Sequence, residues 1–203
     1  MFTGLIQAVG RIAEIESGKQ DIRLRIDTGK LPLEEVSLGD SIATSGVCLT
    51  VTDFPGDGFW ADVSPETLSL TTLGGKEVGD PVNLETSLTL STPLGGHLVS
   101  GHVDGVGHVE QIIEDDRFWR VRITSPENLA RYIAVKGSIC VDGTSLTVNQ
   151  VAGNAFDLTI IPQTWEETVF SEYQVGSPVN LEVDVIARYL ERMMQVDASD
   201  AES

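Results

Sequence analysis

The sequence predicts an all-β protein: two tandem, six-stranded Greek-key β-barrels related by duplication, followed by one C-terminal α-helix. Three observations carry this expectation. The chain is written twice, each copy alternates apolar and polar residues over short runs, and one strongly amphipathic stretch lies outside both copies. The duplication appears at an offset of 97 residues, which sets Phe2-Thr3-Gly4 on Val99-Ser100-Gly101 and Val9-Gly10 on Val106-Gly107. The same offset sets Ser41-Ile42 on Ser138-Ile139, Gly46 on Gly143, and Leu49-Thr50-Val51 on Leu146-Thr147-Val148. Pro81-Val82-Asn83-Leu84-Glu85 recurs unchanged as Pro178-Val179-Asn180-Leu181-Glu182. A period near a hundred residues is too long for a solenoid and suits one small domain per repeat. The expected domains are 1–96, 97–184 and a tail at 185–203, with the boundary near Leu94-Gly95-Gly96.

Within the first repeat Ile22, Leu24 and Ile26 alternate with Arg23, Arg25 and Asp27, which is the two-residue period of a half-buried strand. Similar runs predict strands at 5–15, 22–26, 41–44, 47–53, 59–63 and 82–88, with Gly, Pro and Asp between them. Six short strands in under a hundred residues suit a closed barrel, because closure removes exposed sheet edges. Pro65-Glu66-Thr67 and Pro162-Gln163-Thr164 each predict a short helical turn, since proline is tolerated in a first turn. After the second repeat Val185, Ile186, Tyr189, Leu190, Met193 and Met194 share a helical face opposite Arg188, Glu191 and Arg192. Such a helix can fold back on its own chain or join copies of the chain; the acidic residues 196–203 beyond it are expected to fray.

The chain has 203 residues and a net charge of −18, so nucleic acid and anionic membranes are repelled on average. The start MFTGLIQAVG lacks the pattern of a signal peptide, and no run of about 20 apolar residues is present; the expected location is the cytoplasm. Cys48 and Cys140 are then free thiols. His97, His102 and His108 have no thiol or carboxylate at metal-ligand spacing, so no metal is expected.

Longer motifs carry a family resemblance. Met1-Phe2-Thr3-Gly4, Ser45-Gly46-Val47-Cys48-Leu49-Thr50-Val51, Gly95-Gly96-His97-Leu98-Val99-Ser100-Gly101-His102-Val103-Asp104-Gly105, Lys136-Gly137-Ser138 and Val141-Asp142-Gly143-Thr144-Ser145-Leu146-Thr147-Val148 resemble riboflavin synthase, nearly to Met194. The resemblance implies two lumazine-binding barrels per chain and the dismutation of two 6,7-dimethyl-8-ribityllumazine molecules. A four-carbon unit passes between them, giving riboflavin and 5-amino-6-(D-ribitylamino)uracil. It also implies no metal or redox cofactor, a homotrimer joined through C-terminal helices, and a site between subunits; it leaves association with lumazine synthase open. The alternative is a non-catalytic lumazine- or flavin-binding fluorescent carrier, but such relatives depart from the segment Gly95 to His102 that is complete here. Ser45 stands where the family usually has asparagine, which is expected to alter hydrogen bonding at most.

By the same resemblance Cys48 and Ser145, equivalent in the two repeats, line the ligand pockets, with Leu49, Thr50, Leu146 and Thr147 following them. A barrel pocket alone does not activate a thiol, so covalent catalysis by Cys48 is not expected. Cys140, opposite Ala43, reads as a small buried hydrophobe. His102 answers to Leu5 and suits proton transfer near neutral pH. Lys136 answers to Gly39, and the resemblance places it at the ligand shared between subunits. Asp184 precedes the helix, where aspartate is a natural N-cap, and the resemblance adds it to the catalytic pocket. Ser41 joins His102, Cys48, Ser145, Lys136 and Asp184 as a catalytic candidate, with Ser138 as its polar counterpart. The remaining substrate-binding candidates are Gly4, Leu5 and Ile6; Gly101 and Val103; Asp62, Val63, Ser64, Pro65, Glu66 and Thr67; and Thr159, Ile160, Ile161, Pro162, Gln163 and Thr164. On this reading Cys48 belongs to the first-domain pocket and His102 to the second.

Overall fold

The computed structural model describes residues 1–18 and 21–201. Strands β1 (Ala8–Ser17), β2 (Ile22–Asp27), β3 (Ser41–Thr44), β4 (Val47–Asp53), β5 (Gly58–Val63) and β6 (Pro81–Thr86) close into a barrel in the order β1-β2-β5-β4-β3-β6. The second repeat supplies β7 (Gly105–Asp115), β8 (Phe118–Thr124), β9 (Ser138–Val141), β10 (Thr144–Ala152), β11 (Ala155–Ile160) and β12 (Pro178–Val183), closed in the equivalent cyclic order. All pairings are antiparallel. The alternating pattern decides what each strand buries. Leu24 and Ile26 enter the first core with Leu49, Val51, Phe59 and Leu84, while Arg25 stays outside on Glu14 and Asp57. The second core is built the same way from Val121, Ile123, Val148, Phe156, Leu158 and Leu181.

Closure needs bent strands, and the bends recur at matching places. Bulges lie between Ile12 and Glu14 and between Val51 and Asp53, and again between Val109 and Gln111 and between Val148 and Gln150. An extra residue on one strand kinks it and raises its twist, which helps turn a sheet into a barrel. The β3–β4 hairpin turns at Ser45-Gly46 and the β9–β10 hairpin at Asp142-Gly143, with positive φ at all four residues, as a tight primed turn demands. Helix α1 (Pro65–Leu70) and helix α2 (Pro162–Glu167) occupy equivalent places, each opening on its proline.

Strand β1 starts at Ala8 rather than at residue 5, because the chain before it is drawn elsewhere. Residues 2–6 form an arm that reaches the second barrel, and residues 99–103 form the matching arm that reaches the first. The arms cross where Phe2 and Val99 exchange backbone hydrogen bonds of 2.8 and 3.1 Å. A small separate core of Phe2, Ala43, Val99 and Cys140 fills this seam. Burying a phenylalanine such as Phe2 is worth about 1.5–3 kcal/mol. Cys140 is thus a packed hydrophobe, and burial raises its thiol pKa well above the ordinary range.

The unchanged Pro-Val-Asn-Leu-Glu block holds this exchange in place. Asn83 donates to the Asp142 carbonyl and accepts from the Val169 amide; Asn180 donates to the Ser45 carbonyl and accepts from the Thr72 amide. Glu85 accepts from the Thr3 and Gly4 amides, and Glu182 from those of Ser100, Gly101 and His102. All four side chains are buried. Ser45 keeps the bond that its counterpart makes: its Oγ accepts from Asn83 N at 3.2 Å, where Asp142 accepts from Asn180 N at 2.8 Å.

Helix α3 (Val185–Ala201) follows β12, and its backbone remains helical beyond Val196 where fraying was expected; residues 202–203 lie outside the described residues. Arg188 and Glu191 tie it to the second barrel through Asp104, Arg131 and Tyr132. Ile186, Tyr189, Leu190, Met193 and Met194 remain exposed. Among the described residues no helix is long and apolar enough to cross a membrane.

Candidate functional site

Both barrel interiors are filled by side chains, so the candidate residues gather on outer faces. On β4 Leu49 points into the first core while Cys48 and Thr50 point out. Cross-strand pairing sets Ser41 beside Thr50 and Ala43 beside Cys48, on the same face. Ser41 also lines a groove of about 680 Å³ with Gln7, Asp40 and Thr86. Neighbouring β5 turns Asp62 outward, 3.7 Å from Arg23, and Val63 into the core. Ser64 then caps α1 by accepting from Thr67 N at 3.1 Å, and Pro65, Glu66 and Thr67 form its first turn.

The arm at 99–103 completes this first site. Cys48 N donates to the Gly101 carbonyl at 2.9 Å, and Val103 packs on the first core. Gly101 is required here: its φ is +81°, and a Cβ would lie 2.7 Å from that of Cys48. His102 therefore arrives beside Cys48 on the first barrel. The expectation that it serves a second-domain pocket is corrected by the exchange of arms.

The second site repeats this plan with other chemistry. Ser145 and Thr147 face out from β10, Leu146 leans on the core, and Ser138 pairs with Thr147. Ser145 N donates to the Gly4 carbonyl at 2.8 Å, and Ile6 lies against the Gly143 turn, so Gly4, Leu5 and Ile6 serve the second barrel. Thr159 is exposed and accepts from Asn149 at 2.5 Å, Ile160 is core, and Ile161 leads into α2, whose first turn holds Pro162, Gln163 and Thr164. Trp165 on α2 stacks on Trp119 at 4.6 Å. Lys136 is exposed at the end of the loop before β9 with φ +67°, the left-handed backbone that its counterpart Gly39 adopts freely. A lysine there is strained, and strain of this kind concentrates at functional positions. Asp184 caps α3, accepting from Ile186 N at 3.0 Å.

His97, passed over in the sequence as a candidate, belongs to this second site. Its Nδ1 lies 2.6 Å from Ser145 Oγ in a largely buried position. Burial lowers its pKa, and the charge of Asp184 opposes that shift. The one available signal was its place inside the complete Gly95-to-His102 segment. Glu85, Glu182, Asn83 and Asn180 were likewise visible only as an unchanged block with no role attached. The structure thus gathers Ser41, Cys48, Thr50, His102 and residues 62–67 on one barrel. On the other it gathers Ser145, Thr147, Lys136, Asp184, residues 4–6 and residues 159–164.

This architecture has close counterparts. The model of the lumazine binding domain matches residues 3–87 and again 100–184. Riboflavin synthase of Photobacterium phosphoreum is 47% identical over 97% of this chain and 90% of its own length. The chain belongs to the riboflavin synthase family. Riboflavin synthases of Mycobacterium tuberculosis (strain ATCC 25618 / H37Rv) and Bacillus subtilis (strain 168) are 44% and 41% identical, each over 96% of this chain. The crystal structure of LumP complexed with riboflavin superposes with a TM-score of 0.83 at 28% identity, covering 90% of this chain and 99% of that one. LumP complexed with 6,7-dimethyl-8-(1'-D-ribityl) lumazine gives 0.80 at 27%. Fold is therefore common to the synthases and LumP, whereas sequence lies nearer the synthases.

Proposed function

We propose that this chain converts two molecules of 6,7-dimethyl-8-ribityllumazine into riboflavin and 5-amino-6-(D-ribitylamino)uracil. The observation that carries the reading is a pair of equivalent outer-face sites with unequal chemistry. A dismutation uses one compound as both donor and acceptor of a four-carbon unit, so it needs two like cradles with different catalytic groups. The first site offers His102, Cys48 and Ser41; the second offers Ser145 with His97, Lys136 and Asp184. Holding both molecules in register supplies much of the rate, since effective molarities of about 10⁵ M or more are open to well-oriented partners. His102 is suited to move the proton lost from the C7 methyl group.

The two sites of one chain sit on separate barrels, so the reacting pair forms between the first barrel of one subunit and the second barrel of a neighbour. The exposed apolar face of α3 supports a homotrimer built around this helix. Domains at 1–96 and 97–184, with 185–203 as the assembly element, and a cytoplasmic location complete the reading. The test is direct: mix the protein with the lumazine and follow riboflavin absorbance. Riboflavin formation supports the enzyme; altered lumazine fluorescence without product would establish the carrier instead.

A further inference from the structure

We infer that Glu182 and Arg188 form a clamp that positions His102 for proton transfer. The inference rests on the reading that His102 belongs to the first-barrel site. The two arms are alike in most respects, and their difference is informative. Glu182 is 2% exposed and accepts from three successive amides, Ser100 at 2.6 Å, Gly101 at 2.9 Å and His102 at 3.0 Å. Three peptide planes are therefore fixed by one carboxylate, as in an anion-binding backbone nest whose anion is built in.

The same residue is then held from its other side. Arg188 donates to the His102 carbonyl at 2.8 Å and to Asp104 at 2.8 Å, and Asp104 also accepts from Val183 N. Both the N–H and the C=O of His102 are thus tied to groups fixed on the second barrel and α3.

The first-repeat arm lacks this arrangement. Glu85 is equally buried, but it accepts from Thr3 N, Thr3 Oγ1 and Gly4 N, while the Leu5 amide turns to Thr3 Oγ1 instead. Arg188 itself lies on α3, outside both repeats, so the first repeat supplies no equivalent of it for the Leu5 carbonyl. If these contacts only stapled the barrels together, both arms should be held alike. The additional ties fall on the arm where a titrating side chain replaces leucine. Glu182 and Arg188 act on the peptide and are positioning residues, while the imidazole does the chemistry.

The experiment compares Glu182→Gln, Arg188→Gln, His102→Gln and the two doubles with His102→Gln, all in the full chain with assembly checked by sedimentation. Glutamine at 182 keeps the shape but turns an N–H donor toward the arm's own amides. Each clamp variant should lower kcat by about 10- to 100-fold, the scale of loss when a catalytic group is misplaced. KM should stay within about 3-fold, because the lost interaction serves the transition state. Each double should be no slower than His102→Gln alone, since the clamp acts only through that histidine. Arg188 is partly exposed, so its variant reports even if Glu182→Gln fails to fold. Glu85→Gln, equally buried, should raise KM more than it lowers kcat. Multiplicative losses in the doubles, or unchanged kcat in both clamp variants, would overturn the clamp and leave His102 catalytic. Full activity of His102→Gln would overturn the catalytic reading of His102 and the clamp together.

Discussion

Replacing Asp142 with asparagine should make the protein more stable at neutral pH, and the gain should shrink in acid. Asp142 is the first turn residue between β9 and β10, buried in the seam, with φ +42°. Its Oδ1 accepts from Asn180 N at 2.8 Å and its Oδ2 from the Tyr173 hydroxyl. Lys76 contributes a distant favourable charge, yet burial dominates and pushes the carboxyl from its ordinary 3.8 up to about 6. A folded-state pKa above the unfolded value means that the native chain binds the proton more tightly, so this group stabilises the fold as pH falls from 6 toward 4. At pH 7 the ionised form instead costs about 3 kcal/mol, taking 1.36 kcal/mol for each pH unit between the two values. At pH 4.5 the cost has fallen to about 1 kcal/mol. Asparagine keeps the acceptor for Asn180, donates to the Tyr173 oxygen instead of accepting, and tolerates the left-handed backbone. Urea unfolding at fixed protomer concentration should therefore show Asp142→Asn gaining about 3 kcal/mol at pH 7 and about 1 kcal/mol at pH 4.5. An equal gain at both values would show that the buried charge is not its source, and a loss at pH 7 would refute the reasoning outright.

Three further outcomes are expected. The buried Thr44 and Thr72 hydroxyls have no partner among the described residues, and the second repeat has Val141 and Val169 in their places; Thr44→Val and Thr72→Val should each stabilise by about 1 kcal/mol in urea unfolding, and a loss in both would refute the assignment. His102→Gln lesions the first site and Lys136→Gly the second, and the glycine also relieves a left-handed backbone by about 1 kcal/mol. Co-expressed, the two variants should form mixed oligomers more active than the sum of each alone; purely additive activity, with mixing proven by mass spectrometry, would sink the inter-subunit site. Residues 1–96 expressed alone leave Phe2 and the Asn83 amide without their second-barrel partners, so two copies should pair by exchanging their arms as the two repeats do, and a stable monomer by sedimentation would contradict this.

The barrels were legible because burial in a small closed sheet imposes a two-residue period, and β2 to β5 fall within a residue of the expected runs. Bulges were not, since one extra residue at Ile12 or Val109 leaves the alternation looking intact on either side. The equivalence of Cys48 and Ser145 was legible from the repeat itself. Which barrel His102 serves was not, and the cause is the duplication. When two halves share one plan, an arm that fits its own β4 equivalent fits the other half's as well. Residues 2–6 and 99–103 therefore look the same whether the arms stay home or exchange. Only contacts between distant residues break the tie, such as Ser145 to Gly4 and Cys48 to Gly101.

Exchange also determines how the two sites could diverge. Each is assembled from both repeats: one takes Cys48 from the first and His102 from the second, the other Ser145 and Lys136 from the second and Leu5 from the first. A substitution in an arm alters the opposite barrel's site, while one in β4 or β10 alters its own. The replacements His102 for Leu5 and Cys48 for Ser145 fall together on the first barrel, although they arise in different repeats. Lys136 for Gly39 falls on the second, where the arm carries only apolar side chains beyond Gly4. Duplication alone would make two identical cradles. Crossing the arms lets a change in either half differentiate them, so one fold can set a histidine beside one barrel and a lysine beside the other.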